Sequence, residues 1–275
     1  MLTVVPRLRD RVYGDFLMAS RLPRYRRLLE SALRADYRII SAGGLWRLIE
    51  TRELDPTRRY LVLRHDVDTD PRTAAAMWDV DRGLSVESSY FFRLSTVAPA
   101  LMGSIADGGS EASYHYEELS TLAKRLGLRS RSDAIAHLPE ARERFAESIG
   151  RLRAVTGLPM RVVAAHGDFV NRRLGIQNWA ILADRDFRRG LGVDLETYDE
   201  AFLRRLTSRH SDAPYPRYWA YTDPAEAIRV GEPIISVLVH PRHWRVDRRG
   251  NARDDIQRVV EGLRFEVSVR RRRQA

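Results

Sequence analysis

The sequence contains no cysteine. Disulfide bonds, zinc–thiolate sites and cysteine nucleophiles are therefore excluded, and a bound metal must use histidine, aspartate or glutamate as ligands. The sequence also lacks any window that approaches the roughly 18 uncharged apolar residues of a transmembrane helix. The short apolar stretch at residues 1–6 is followed at once by arginine and aspartate, which is unlike a secretory signal. A cytoplasmic location without a membrane span is therefore expected.

Positive charge is plentiful, with 47 lysines and arginines against 37 acidic residues and a formal net charge of +10. The arginines are spread along the whole chain, and only residues 270–273 form a dense run. This run is interpreted as a solvated tail, with an acidic partner or a membrane surface as the alternative. A nucleic-acid partner would rest on net charge alone and is not expected.

Helical and strand patterns alternate along the chain, which indicates parallel βαβ units. Apolar runs predict strands at 37–40, 60–63, 89–93, 161–165 and 234–239, and residues 97–110 are predicted to be a loop. About seven such units favour an α/β fold with a distorted (β/α) barrel over an open sheet. No linker or repeat divides residues 1–275, so we expect a single domain with a core at about 25–262 and a basic tail at 264–275.

The most informative stretch is residues 60–71, where four apolar residues lead into Arg64, His65, Asp66, Val67 and Asp68. Asp66 and Asp68 are two positions apart, so on a strand both would point to one face. Two carboxylates held together share a cation, or one of them takes up a proton. The alternative is that both are solvated and that the Asp-Pro pair at 70–71 only begins the next helix.

Histidines follow two other predicted strands, His166 after 161–165 and His240 after 234–239, and His115 lies in a predicted loop or helix entry. The carboxyl ends of parallel strands converge on one face of such a fold, so one site could collect these side chains. Each histidine taken alone is more often structural than a metal ligand, and it is their coincidence at strand ends that favours a site. A histidine and carboxylate set suits a hydrolytic metal site, with a further carboxylate to accept a proton and a histidine to donate one. His137, His210 and His243 fit this convergence less well.

These motifs, in this order, resemble the polysaccharide deacetylases, the NodB-homology proteins of carbohydrate esterase family 4. The resemblance rests on Arg-His-Asp-Val-Asp at 64–68, Ser-Tyr-Phe-Phe at 89–92, Glu-Ala-Ser-Tyr-His at 111–115 and Val-His-Pro at 239–241. It covers about residues 25–262 and is strongest for a branch whose first motif reads Arg-His-Asp-Val-Asp. The resemblance implies a distorted (β/α) barrel, a divalent metal, usually zinc, and removal of acetyl from an N-acetylated sugar.

By this resemblance Asp66 is the catalytic base, Asp68 a metal ligand, His115 the first histidine of a His-x-x-x-His motif and His240 the general acid. The sequence departs from the family at Leu119, where the second histidine of that motif would lie, and at 164–168, where an Arg-x-Pro motif is missing. We therefore expect His166 to be the third metal ligand, with Glu118 and Glu111 as weaker candidates.

Substrate contacts are predicted for Arg64, His65 and Tyr116. Several other aromatic residues could line a sugar groove or could simply pack in the core; these are Tyr215, Tyr218, Trp219, Tyr221 and Trp244.

The expected function is that of a metal-dependent hydrolase that removes an acyl group, most simply N-acetyl, from a carbohydrate. A soluble intermediate such as a nucleotide-sugar or a lipid-linked sugar is the expected substrate. The alternative is a non-catalytic relative that binds carbohydrate or takes part in assembly, for which the missing second histidine argues. The sugar, the acyl group and the oligomeric state are not predicted.

Overall fold

The computed structural model describes residues 8–213, 219 and 222–274. Within them eight strands alternate with helices. The strands are β1 (Tyr37–Ile40), β2 (Arg59–Val67), β3 (Ser89–Phe92), β4 (Glu111–Tyr116), β5 (Val162–Ala165), β6 (Leu195–Glu196), β7 (Ser208–Ser211) and β8 (Ile234–Val239).

The helices cover most of the remaining described chain. They are α1 (Leu8–Val12), α2 (Leu22–Arg34), α3 (Ala42–Glu50), α4 (Pro71–Gly83), α5 (Pro99–Asp107), α6 (Glu118–Leu126), α7 (Arg131–Ala136), α8 (Leu138–Thr156), α9 (Phe169–Leu174), α10 (Arg185–Gly190), α11 (Glu200–Leu203), α12 (Pro224–Val230) and α13 (Arg248–Gln274). A π-helical turn at Tyr13–Leu17 and two 3-10 turns at Asn178–Leu182 and Pro241–His243 complete them. In the ranges given above, no helix is both long and apolar enough to cross a membrane.

The strands form one parallel sheet in the order β6-β5-β4-β3-β2-β8-β7, and β1 pairs with the first half of β2. The sheet curls strongly. The evidence is a 2.9 Å hydrogen bond that Arg64 of β2 donates to the hydroxyl group of Thr197, which comes directly after β6. In a flat sheet these two strands, four positions apart, would be about 19 Å apart. The curled parallel sheet with its helices confirms the predicted α/β class and distorted barrel.

Alternate residues of β2 face different surroundings, as strand geometry requires. Leu61 and Leu63 point outward and pack with Ile235 and Val237 of β8 against the surrounding helices. Tyr60 and Val62 point into the barrel, and the side chains of Arg64 and Asp66 follow them on the same face. Because the interior face of β2 turns polar only where the strand ends, the inward polar groups of this strand are confined to the carboxyl edge of the sheet.

Several predicted elements need correction. Residues 97–110 contain helix α5 rather than a loop, and its Met102 and Ile105 are buried against the sheet. His115 lies within strand β4 rather than in a loop. Helix α13 continues far beyond the predicted end of the core at 262, and Phe265 and Val269 are buried. The first part of the expected tail at 264–275 is therefore packed against the domain.

Candidate active site

Asp66 and Asp68 lie at the carboxyl end of β2, and Arg64 precedes them on the same face. The Arg64 guanidinium forms a two-pronged ion pair with Asp66, with Nε at 2.7 Å from Oδ1 and Nη2 at 2.8 Å from Oδ2. Both side chains are buried. Burial raises the pKa of Asp66, but Arg64 and then His115 outweigh this effect and leave the pKa below its usual value. Asp66 is therefore held as a carboxylate of fixed orientation.

His115 projects from β4 into the barrel. Its Nδ1 lies 2.9 Å from the carbonyl oxygen of Ala164. A carbonyl oxygen can only accept, so Nδ1 carries the proton and the Nε2 lone pair is left for another partner. Nε2 lies 3.2 Å from Asp68 Oδ1 and 3.4 Å from Asp66 Oδ2. A backbone hydrogen bond that fixes the ring in this way is typical of a metal-binding histidine.

His166 comes directly after β5 and meets the same carboxylate. Its Nε2 lies 3.5 Å from Asp68 Oδ1, and its ring stands edge-on to that of His115 at a centroid distance of 5.1 Å. Behind it, Nδ1 lies 3.4 Å from Oε2 of Glu117, which Arg93 holds by contacts of 2.7 to 2.9 Å. Burial lowers the pKa of His166, but Asp68 and Glu117 outweigh burial and raise it to about 9.

One donor atom each from Asp68, His115 and His166 lies within 4.8 Å of the others, which suits a metal ion. Charge-assisted N–H···O bonds are about 2.7–2.9 Å long, so the separations of 3.2 and 3.5 Å from Asp68 Oδ1 are long for hydrogen bonds. Ligand atoms at about 2.0–2.2 Å from a tetrahedral zinc ion lie roughly 3.3–3.6 Å apart.

The electrostatics of Asp68 point the same way. Its Oδ1 is buried and accepts no well-aligned hydrogen bond from any residue that the structure describes. Burial raises the pKa of Asp68, but His166 and His115 outweigh burial and hold it well below its usual value. A partly buried, ionised carboxylate that has an incompletely bonded oxygen between two imidazoles fits a divalent cation.

His240 approaches from the end of β8, and a buried carboxylate fixes its ring. Asp212 accepts hydrogen bonds from the His240 backbone N–H at 2.8 Å, from His240 Nδ1 at 2.6 Å and from Trp244 Nε1 at 2.9 Å. The opposite nitrogen, His240 Nε2, lies 4.0 Å from Asp68 Oδ2. Burial lowers the pKa of His240, but Asp212 outweighs burial and raises it to about 9. His240 is thus suited to carry a proton into the site.

Asp212 and Glu117 were not predicted. Asp212 follows β7, a short strand rich in polar residues that the apolar pattern does not reveal. Had β7 been recognised, the strand-end rule that selected His166 and His240 would have selected Asp212 as well. Glu117 lies between β4 and α6. The hydrophobic pattern of the sequence does not reveal a residue that contacts a candidate metal ligand on the side away from the metal. Asp212, His240 and His243 also form a second group with metal-ligand spacing, as do Glu117, His166 and Asp168.

Two predicted substrate contacts lie outside this cluster. His65 is fully buried on the opposite face of β2, where it stacks on Tyr90 and shares a 2.8 Å hydrogen bond with Tyr25. Tyr116 is fully buried among the helices and packs edge-on against Phe145. Each is one residue away from a site residue, and alternation along a strand sends it to the other face. Arg64, by contrast, lies inside the barrel beside Asp66.

The weaker metal-ligand candidates are also elsewhere. Glu118 bonds the hydroxyl group of Tyr114 on the helix-facing side of β4. Glu111 begins β4 at the opposite end of the barrel and accepts a hydrogen bond from Ser89. Trp219 and Trp244 pack against one another and are almost fully buried, so they act as core residues. Tyr215, Tyr218 and Tyr221 lie outside the described residues.

Comparisons with known proteins are limited to distant structural similarity. No family model matches the sequence, and no curated protein matches it. Among solved structures, the chain is similar to peptidoglycan deacetylase PdaC from Bacillus subtilis and to a variant of it with one substitution. Each match has a TM-score of 0.38 and 13% sequence identity, and covers 80% of this chain and 96% of the other. Because this likeness is low, the function proposed below rests on the geometry of the site.

Proposed function

We propose that the protein is a metal-dependent hydrolase that removes an acyl group, most simply N-acetyl, from a carbohydrate. The observation that carries the proposal is that three features lie at one edge of the barrel. Asp68, His115 and His166 have the spacing of metal ligands. Arg64 fixes the carboxylate of Asp66, and Asp212 fixes the ring of His240. Metal-assisted hydrolysis of an amide uses each of these parts.

The metal would be held by Asp68, His115 and His166, and one aspartate with two histidines suits zinc. When bound, such an ion lowers the pKa of water to about 7 and polarises a carbonyl group. Asp66 faces this set, and its carboxylate accepts a proton from the water as the water oxygen bonds to the acyl carbon. Arg64 keeps both Asp66 oxygens in place during this transfer.

His240 completes the reaction on the other side of the substrate. As the bond between the acyl carbon and nitrogen breaks, the protonated Nε2 of His240 gives its proton to the departing nitrogen, which leaves as a neutral amine. The other product is the carboxylic acid, which ionises in water. Solvent then returns the proton from Asp66 to His240, so that one amide and one water give one acid and one amine.

A carbohydrate is proposed because the order of the motifs from 64–68 to 239–241 resembles that of the polysaccharide deacetylases. Tyr198, two residues after the end of β6, is 38% exposed, and the Arg64 guanidinium stacks on its ring at 4.9 Å. An exposed ring at the carboxyl edge suits the apolar face of a sugar. A nucleotide-sugar or lipid-linked sugar as the substrate stays a prediction.

The non-catalytic alternative rested on the missing second histidine of the His-x-x-x-His motif. The approach of His166 to Asp68 and His115 weakens that argument, because a third nitrogen donor is available from another strand. The arrangement of Arg64 on Asp66 and of Asp212 on His240 also favours a catalytic site, since carbohydrate binding alone does not require oriented proton carriers.

The test is the metal content of the purified protein, measured beside the variants His166→Ala and His137→Ala. His137 lies at the start of α8, where its Nδ1 contacts the carbonyl oxygen of Asp133, and it provides a matched control. We expect one divalent ion in the wild type and in His137→Ala, and loss of the ion in His166→Ala. The metal-loaded protein should then release free amine from N-acetylated sugars. A wild type that stays empty with added zinc would overturn the hydrolase proposal.

A further inference from the structure

A cavity of about 400 Å³ lies inside the barrel next to the candidate active site. Its walls come from β2, β7 and β8, from the segment after β6 and from α11, and they include Val62, Arg64, Ser236 and Leu238. The inward-facing residues of β8, which are Ile234, Ser236 and Leu238, are only half-buried, whereas the residues between them are fully buried. The interior on this side is therefore hollow rather than filled with side chains.

The cavity begins one layer of side chains below the reaction centre. Arg64 of β2 is paired with Leu238 of β8, and Val62 is paired with Ser236. Asp66 and His240 follow two residues further along the same two faces, which corresponds to about 7 Å. A group that points from the level of Asp66 and His240 into the barrel therefore reaches the cavity past the side chains of Arg64 and Leu238, which line it.

Mostly apolar side chains surround this space. Phe202, Leu203 and Leu206 form the wall that bridges the gap between β6 and β7. The guanidinium of Arg64 is already occupied by Asp66 and by the hydroxyl group of Thr197, so it does not offer a strong site for an additional charge. Arg209 is the other cationic residue of the lining and is exposed. A partly open, mostly apolar space with a few polar groups is typical of a small-molecule pocket.

Size and direction together indicate the occupant. The sugar must approach from solvent, so the substituent on the acyl carbon is the part of the substrate that points inward. A methyl group is similar in size to a water molecule, whose share of liquid volume is about 30 Å³. The cavity is more than ten times larger, so an acetyl group would leave most of it unfilled.

We propose that this cavity is a subsite for the aliphatic chain of an acyl group longer than acetyl. The proposal rests on the proposed hydrolase function, since that function fixes the position of the acyl carbon. It narrows the substrate class to an N- or O-acylated carbohydrate whose acyl chain has several carbons. Apolar contact with the walls would then supply most of the selectivity.

The experiment has a binding arm and an activity arm, both with the full chain. Hexanoate and acetate are titrated against the wild type, Ser236→Phe, Ser132→Phe and Arg209→Gln by calorimetry. Ser236 lines the cavity, so phenylalanine there fills it, whereas Ser132 is an exposed residue of α7 and controls for the substitution itself. The metal-loaded proteins are also assayed with 4-nitrophenyl acetate and 4-nitrophenyl hexanoate, and circular dichroism confirms that each variant is folded.

We expect hexanoate to bind at least tenfold more tightly than acetate to the wild type and to Ser132→Phe, and Ser236→Phe to lose this difference. The ratio of kcat/KM for hexanoyl over acetyl ester should fall at least tenfold in Ser236→Phe and stay at the wild-type value in Ser132→Phe. Equal binding of both acids, or hydrolysis of the acetyl ester alone, would overturn the subsite and leave the hydrolase intact. Cavity-dependent binding of hexanoate without hydrolysis of any ester would support the subsite and count against the hydrolase. If Arg209→Gln alone abolished hexanoate binding, the site would be one for anions, and the proposal would be wrong.

Discussion

Glu117 lies behind His166 rather than beside the substrate, so its expected effect is on metal affinity. It faces His166 Nδ1 at 3.4 Å, and Arg93 and His166 lower its pKa to about 2 against the effect of burial. A carboxylate in this position orients a ligating imidazole and increases its basicity. In Glu117→Gln we expect zinc affinity to fall by about 10-fold to 100-fold, measured by competition with a chelating dye.

The neighbouring Glu118→Gln is the control for this prediction. Glu118 is also buried, but its carboxylate points to Tyr114 on the opposite side of β4. Its replacement should leave zinc affinity unchanged. Equal losses in the two variants would indicate a general effect on folding, and no loss in Glu117→Gln would show that His166 is oriented without it.

Asp212 should act through His240 and so influence only reactions that need a proton donor. In Asp212→Asn the imidazole loses the charge that stabilises its protonated form, while Trp244 can still donate to the new side chain. General acid catalysis contributes about 10²–10⁴-fold to rates, so amide hydrolysis should fall by at least about 100-fold. Hydrolysis of a 4-nitrophenyl ester, whose leaving group departs as an anion, should change by less than about fivefold.

Metal content distinguishes this effect from damage to the ligand set. It should stay at the wild-type level in Asp212→Asn, because Asp68, His115 and His166 are untouched. A proportional loss of ester and amide hydrolysis would contradict the assignment of His240 as the acid.

The identities of most candidate site residues could be predicted because each follows an apolar run at a strand end. His166 and His240 were found in this way, and Asp66 and Asp68 by their spacing. His65 shows the limit of the method, since a residue next to a site residue on a strand belongs to the other face. Whether Asp66, Asp68, His115, His166 and His240 perform the proposed roles stays a prediction.

At the level of the elements, β2, α4 and α2 meet in a buried polar cluster on the outer face of the sheet. Asp81 of α4 accepts hydrogen bonds from the hydroxyl groups of Tyr25, Ser88 and Tyr90, and His65 lies 3.7 Å away. Asp81 and His65 are fully buried. The cluster therefore joins a helix pair to the strand that carries the candidate site, and an ionised carboxylate in it is costly.

This cluster predicts a pH dependence of stability. Burial raises the pKa of Asp81 to about 7, against an ordinary value of 3.8. Between these values the folded protein keeps a proton that the unfolded chain has lost, so the contribution of Asp81 to the free energy of unfolding falls as pH rises from 4 to 7. Asp81→Asn cannot ionise and should remove about 2–4 kcal/mol of this decline.

The measurement is urea unfolding of the metal-free protein at several values between pH 4 and pH 8, beside Asp79→Asn. Asp79 lies on the same helix but is exposed, so its replacement should leave the slope unchanged. At pH 4 the free energy of unfolding of Asp81→Asn should be lower than that of the wild type, because an amide has one acceptor oxygen for three hydroxyl donors. It should then decline less as the pH rises. Parallel curves for Asp81→Asn and the wild type would contradict the raised pKa.

Elements with a regular apolar pattern were predicted well, and elements rich in small or polar residues were not. Helix α2 buries Tyr25, Leu28, Leu29 and Ala32 at helical spacing, and the sequence shows this directly. Helix α5 contains glycine and begins with a proline, so its pattern was read as a loop. Strand β4 has no apolar run, because small and polar residues alternate with tyrosine. Its inward residues line the candidate site rather than an apolar core, so the sequence does not predict the strand.

Considering the whole molecule, the α/β class follows from the alternation of elements and the number of units favours a barrel, but the curl of the sheet has no local signal in the sequence. It depends on contacts such as that between Arg64 and Thr197, which join residues 133 positions apart. Three expectations stay predictions: that the chain forms one domain, that it is cytoplasmic, and that it has no nucleic-acid partner. Helix α13 provides the clearest test of where the domain ends.

Helix α13 crosses helix α6 and places Phe265 and Val269 in the largest hydrophobic cluster. The approach is close, because a Cβ atom built on Gly127, at the end of α6, would lie 2.5 Å from the backbone of Ser268. Burial of one large apolar side chain contributes about 1.5–3 kcal/mol, so these two residues contribute roughly 3–6 kcal/mol. That is a large share of the 5–15 kcal/mol by which a typical domain is stable.

A chain that ends at residue 262 should therefore unfold at a much lower temperature than one that ends at residue 270, although both lack the arginines at 271–273. We expect the chain ending at 270 to keep the Tm of the full protein within about 2 °C, and the chain ending at 262 to lose about 10 °C or more. Phe265→Ala in the full chain should reproduce roughly half of the loss, because it removes the larger of the two buried side chains. Circular dichroism melting curves provide the comparison, and equal Tm values for the two truncated chains would mean that the domain ends where the sequence pattern had placed its core, at 262.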